Sequence, residues 1–199
     1  MRHTHCCIDS ILKIRERMGD KKTFLPDIIE KIEVNIYPSA IKSAGIIRNP
    51  RSQEEAKFSI YYAIAVAFNN GDFSIEDLQV ERIDSVINDL LAKIEFSTRS
   101  FEEDRACGIR GSRIKVVLCD GEIFEETILI PKGEGIGSLD WNNLRVKMYA
   151  CSYGVISEKM SNLLINRCMG IDVDEPFGSI MLFFDKDLRL LGYKDQQDC

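Results

Sequence analysis

The sequence lacks an apolar run long enough to cross a bilayer. Its longest, Ile60 to Phe68, has nine residues, and a spanning helix needs about 20. It lacks a secretory opening as well. Met1-Arg2-His3-Thr4-His5-Cys6-Cys7 holds no apolar h-region. A basic surplus is missing too: 26 Lys and Arg face 32 Asp and Glu, for a net charge of −6. No excess positive charge exists to neutralise phosphates, which argues against nucleic acid as the partner. The seven cysteines are odd in number and irregularly spaced, so they form no disulfide framework, and a cytoplasmic setting is expected. Repeats, low-complexity tracts and long linkers are absent.

What remains is an ordinary globular composition, 45% hydrophobic and 29% charged over 199 residues. That length buries a sizeable core without a metal or disulfide staple. Helical spacing of Ile8, Ile11, Leu12 and Met18 predicts a first helix, capped by Thr4 and stopped at Gly19. Ile32, Val34 and Ile36 alternate with polar residues and predict a strand over Ile29–Tyr37, ended by Pro38. Ser39 to Gln53 reads as a polar loop. Helices are predicted over Glu54–Asn70, apolar nearly all round, and over Ile75–Leu91. A short strand follows at Ile94 to Thr98. Arg113–Leu118 and Ile123–Ile130 flank Asp120-Gly121, a strong hairpin signal. Gly133, Gly135 and Gly137 punctuate a loop without the spacing of a phosphate cradle. Further helices are predicted from Ser138 to about Cys151 and over Glu158–Met169, with a small hairpin from Ile180–Phe184 and Leu188–Leu191 in the tail. The pattern implies an α+β fold, an antiparallel or mixed sheet with helices packed on one face. Residues 1–155 are expected as one domain, with a C-terminal helix and tail at 156–199.

Few residues offer chemistry. Both histidines lie at His3 and His5, and imidazole is the side chain best matched to proton transfer near neutral pH. On position alone, two exposed residues near a terminus are the simpler reading. With Cys6 and Cys7 they also suggest a zinc or thiol module, although the spacing suits no zinc site, and buried, inert thiols are the simpler expectation. Tyr61 and Tyr62 are core aromatics by pattern, with hydroxyls able to reach a cleft. Arg48 and Arg51 flank Asn49-Pro50 in a loop and carry no assignment alone.

Four segments, in order, resemble one family. Arg2-His3-Thr4-His5-Cys6-Cys7-Ile8-Asp9 resembles a C-R-H-T-H-x-x-I-D segment, with Met1 in place of the cysteine. Glu55-Ala56-Lys57-Phe58-Ser59-Ile60-Tyr61-Tyr62-Ala63 resembles E-A-K-F-S-x-x-Y-A. Val117-Leu118-Cys119-Asp120-Gly121 resembles a strand and D-G turn. Lys132-Gly133, Leu139 and Lys147-Met148 resemble the K-G…L…K-F stretch that follows. Together they are similar to the MmgE/PrpD family, which includes 2-methylcitrate dehydratase, cis-aconitate decarboxylase and iminodisuccinate epimerase. The likeness spans residues 2 to 150 and corresponds to the smaller, C-terminal lid domain. In the family an all-helical domain precedes it, and this sequence is expected to open where the lid domain begins.

The resemblance implies a lyase or isomerase that moves a proton next to a carboxylate of a small polycarboxylic acid, without metal or organic cofactor. It places His5 as the acid/base residue and Arg2, His3 and Tyr62 as substrate-binding residues. Lyases with an F-P-A-x-x-x-x-H version of the first segment keep only the His5 position, and the C-R-H-T-H version points away from the 2-methylcitrate branch. The implied partners are the substrate, a helical domain supplied by another chain, and a second copy through self-association. A non-catalytic remnant that binds a small anion or a helical partner is the alternative.

Overall fold

A computed structural model of the chain describes residues 1–19, 26–97, 110–135 and 139–170. It divides into two compact units, residues 1–140 and 141–199. The proposed tail hairpin lies outside the described residues.

In the first unit the order is α1 (Arg2–Met18), β1 (Ile29–Ile36), α2 (Pro38–Ala44), α3 (Gln53–Lys57), α4 (Ile60–Asn70), α5 (Ser85–Lys93), β2 (Ile94–Phe96), β3 (Ser112–Leu118) and β4 (Ile123–Ile128). The strands form one mixed sheet in the order β2-β1-β3-β4. β1 and β2 are parallel, with Ile32 opposite Ile94; the other pairs are antiparallel. A parallel neighbour needs a long crossover, and α2 to α5 supply it. The fold is therefore α+β, as the residue pattern implies.

Alternation along β1 gives the sheet two unlike faces. Ile32, Val34 and Ile36 are buried with Ile114 and Val116 of β3, and α1, α4 and α5 cover that side. The opposite face is a charge ladder. Glu33 stands opposite Glu95 and Lys115, and Lys115 opposite Glu125. Lys31 pairs with Glu33 at 2.6 Å. Helices on one face and charge on the other is the arrangement that a half-buried strand pattern dictates. The β3–β4 connection turns at Gly121, with φ +87°. Asp120 Oδ1 accepts from the Glu122 amide at 2.9 Å, and the Asp-Gly hairpin forms as expected.

Four expectations fail for local reasons. The stretch 54–70 is two helices, because Ser59 caps the second: its hydroxyl accepts from the Tyr62 amide at 3.0 Å and donates to the Ile47 carbonyl at 2.6 Å. The stretch 75–91 is two 3-10 turns followed by α5, because Asp84 accepts from the Ile87 amide at 2.9 Å and starts a new helix. The region after Pro38 is partly helical, because proline fits the first turn of a helix, where its missing N–H is not needed. At the first helix, Thr4 is not the cap; α1 begins at Arg2, and the Thr4 hydroxyl donates to the Met1 carbonyl at 2.7 Å.

Two cations tie the layers at carbonyl-rich ends. Arg15 of α1 donates to the carbonyls of Phe68 and Asn69 at the end of α4, where unpaired helix carbonyls attract positive charge. Arg48 donates to the carbonyls of Leu91 (2.5 Å) and Ile94 (3.0 Å) and lies over the Tyr61 ring, 4.3 Å from its centroid. The loop arginine left without an assignment is thus a structural clamp.

In the second unit α6 (Trp141–Ser152) packs against α7 (Glu158–Met169). Asn162 Oδ1 accepts from Arg145 at 2.5 Å and from the Tyr149 hydroxyl. Ser157 caps α7 by accepting from the Met160 amide at 3.2 Å. No helix among the described residues is long and apolar enough to cross a membrane.

Candidate functional site

The start of α1 presents its side chains in two directions. At 3.6 residues per turn, Cys6, Cys7, Ser10, Ile11 and Ile14 form the buried stripe. Ser10 and Ser112 hydroxyls meet at 3.3 Å and fix α1 on the start of β3. The Cys7 thiol is fully buried, and burial pushes its pKa up to about 12, so it is an inert core residue. Cys119, Cys151 and Cys168 are exposed, so the expectation of buried thiols holds for Cys6 and Cys7 and fails for these three. With Cys6 and Cys7 turned to the core, the four side chains of the zinc alternative do not share a centre. No group of three or more His, Cys, Asp or Glu converges among the described residues.

Arg2, His5 and Asp9 lie at spacings of three and four, which puts them on one stripe. The loop 131–135 straps both ends of it. The Lys132 amide donates to Asp9 Oδ2 at 2.7 Å, and Glu134 forms an ion pair with Arg2. His5 is exposed between these two contacts. Gly133 has φ +93°, and a Cβ there would stand 3.2 Å from Leu139 Cγ, so this close loop path favours glycine.

His3 points elsewhere. Its Nδ1 is hydrogen-bonded to the Tyr37 hydroxyl, and the two ring centroids are 5.4 Å apart. Tyr37 is buried, directly after β1 and at the cap of α2. Burial first, then the positive charges of Arg110 and Arg2, hold the His3 pKa below its ordinary value. Near pH 7 this imidazole is neutral.

Tyr62 is 2% exposed. Its hydroxyl donates to the Asp77 carbonyl, and its ring meets Phe73 edge-on at 6.4 Å. Burial, then Asp77 and Glu81, raise its pKa. Arg2, His3 and His5 thus share the start of one helix, whereas Tyr62 holds α4 to the 76–78 turn, with no hydrogen bond to those three. Tyr37, Arg110, Asp9 and Glu134 complete the surroundings. Of these only Asp9 had a sequence signal, its helical spacing from Arg2 and His5.

A concavity of about 510 Å³ lies on the charged sheet face and is lined in part by Glu33, Asn35, Glu95, Arg113, Lys115 and Glu125. Neither histidine reaches it.

The sequence of residues 1–170 matches the family model described as the MmgE/PrpD C-terminal domain. The chain belongs to the MmgE/PrpD family. The match includes the α1 segment, the sheet and both helices of the second unit, well beyond the four segments that carry the resemblance. No curated protein sequence matches the chain.

Proposed function

We propose that this MmgE/PrpD C-terminal domain forms one wall of a lyase or isomerase active site, with His5 as its proton-transfer residue. The family includes dehydratase-type enzymes, and the observation that carries the proposal is the start of α1. There an exposed histidine sits on a stripe with Arg2, and Arg2 and Arg110 also act on His3 two residues before it. Positive groups hold the carboxylates of a small polycarboxylic acid and stabilise charge that develops on them. The base takes the proton from the carbon next to a carboxylate, leaving an electron pair on that carbon. In a dehydration that pair becomes the new C=C bond, the C–O bond breaks, and the departing hydroxide takes a proton to leave as water. In an epimerisation a proton returns to the opposite face, and in a decarboxylation the carbanion left by CO2 is protonated. All three need a general acid or base near neutrality, and none needs a metal or organic cofactor. Tyr62 contributes from α4 if its hydroxyl exchanges the Asp77 carbonyl for substrate.

Groups on one wall do not enclose a substrate. Exposed charges act through a high dielectric, and water is not excluded. The helical half is the expected second wall, and apolar surface left uncovered favours self-association. The test is turnover of tricarboxylates by the 199-residue chain alone and after addition of a helical half from a related protein. Activity is expected only in the second case. Robust turnover by the chain alone, unchanged by His5→Ala, would overturn the proposal. A non-catalytic anion-binding remnant would bind the same acids and show no turnover in either case.

A further inference from the structure

We infer that Tyr37 locks His3 in a single neutral tautomer, with Nδ1 accepting from the tyrosine hydroxyl and Nε2–H kept as a fixed donor for a carboxylate beside Arg2 and Arg110. This deepens the proposal above and rests on it for the ligand class. It gives His3 a role distinct from that of His5 and makes Tyr37 a positioning residue.

The geometry carries it. His3 Nδ1 meets the Tyr37 hydroxyl, and the rings pack at 57° to one another. A phenol is the stronger donor of the two groups and an imidazole nitrogen the stronger acceptor, so the proton on oxygen points to nitrogen. A neutral imidazole that accepts at Nδ1 carries its own proton at Nε2. The hydroxyl comes from a buried residue placed by β1 and by Pro38 at the start of α2, so it is held by the backbone rather than by a flexible arm.

Among the described residues, the charged groups acting on His3 are Arg2 and the Met1 amine from its own segment and Arg110 from the approach to β3, all positive; Glu134 reaches Arg2. A second full positive charge would add repulsion, whereas a neutral N–H adds direction without charge. Arg110, and Arg2 by exchanging Glu134 for the ligand, then supply the attraction for an anion and His3 supplies the aim. A neutral imidazole used as a donor toward developing negative charge is sound acid–base practice where cations already crowd a site. His5, on the exposed stripe, is left to take and return protons.

The chain has only two histidines, so the test is direct. Two-bond proton–nitrogen correlation NMR of protein labelled with 15N-histidine, with His3→Gln and His5→Gln for assignment, reads each ring's tautomer. At pH 7.5 His3 is expected as one tautomer, with Nδ1 unprotonated. In Tyr37→Phe, which keeps the packed ring, the two nitrogens are expected to average. A protonated Nδ1 or an averaged ring in the unaltered chain would overturn the inference, and so would a locked tautomer that persists in Tyr37→Phe. Titration with tricarballylate, an unreactive tricarboxylate, is expected to shift His3 Nε2, and less so in Tyr37→Phe. Absence of that shift at millimolar ligand would remove the ligand-facing role. Neither spectrum depends on catalysis, so loss of the His5 proposal and loss of this one give different results.

Discussion

Replacing Ser59 by alanine removes two interactions with one oxygen atom. The first is the cap of α4, the 3.0 Å bond from the Tyr62 amide, and an N-cap is worth about 1 kcal/mol. The second is the bond to the Ile47 carbonyl at 2.6 Å. A buried polar group left unpaired costs about 1–3 kcal/mol, and Ile47 is only half-buried, which puts this loss near the low end. The sum is about 2–3 kcal/mol, where the cap alone gives about 1. Urea denaturation followed by circular dichroism measures it. With a slope of about 2 kcal/mol/M, the midpoint falls by about 1–1.5 M with the slope unchanged. Asp84→Ala is the control: it removes the cap of α5 at an exposed position, with the 2.9 Å bond to the Ile87 amide its only loss at that turn, and should cost about 1 kcal/mol. If Ser59→Ala costs no more than Asp84→Ala, the break between α3 and α4 is not held by this hydroxyl.

Further outcomes follow from the same contacts. Ile11 is fully buried between helix and sheet, so Ile11→Ala should cost about 2–5 kcal/mol, read by thermal or urea unfolding. A thiol reagent at pH 8 should label exposed Cys119, Cys151 and Cys168 in the folded chain and reach Cys6 and Cys7 only after denaturation, as mass spectrometry of the peptides would show. The His3 pKa is lowered on folding, so the unfolded chain binds the proton more readily. Stability should therefore fall as pH drops through about 6.5. His3→Gln should flatten that part of the stability curve, and an unchanged slope would contradict the neutral imidazole.

Period and turn chemistry made the sheet legible. Ile32, Val34 and Ile36 declare a half-buried strand, and Asp120-Gly121 declares the hairpin, because both signals are local. The broken helices were not legible from apolar spacing, since that spacing runs through Ser59 and Asp84 without a gap. Those residues act by capping, and only the bonds they make reveal it. Pro38 reads equally as a strand stop and a helix start. The site divides the same way. His3 and His5 stand out as the only histidines, but residues two apart on a helix point about 200° apart. That separates the Tyr37-bound ring from the exposed one. Tyr37 itself is brought in by β1 from 34 positions away, a distance no local pattern crosses. Arg48 shows the converse, since its residue type suggests anion binding while the fold uses it on carbonyls and the Tyr61 ring.

The most direct measurement of the central claim is kcat/KM of the assembled enzyme, chain plus helical half, with His5 and with His5→Ala, run alongside exchange of the substrate's carbon-bound proton into deuterated water. Loss of a general acid–base residue predicts a fall of about 10²–10⁴-fold in both turnover and exchange, with the fold unchanged by circular dichroism. Turnover and exchange that stay within a few-fold of the unaltered enzyme would contradict the assignment of proton transfer to the start of α1.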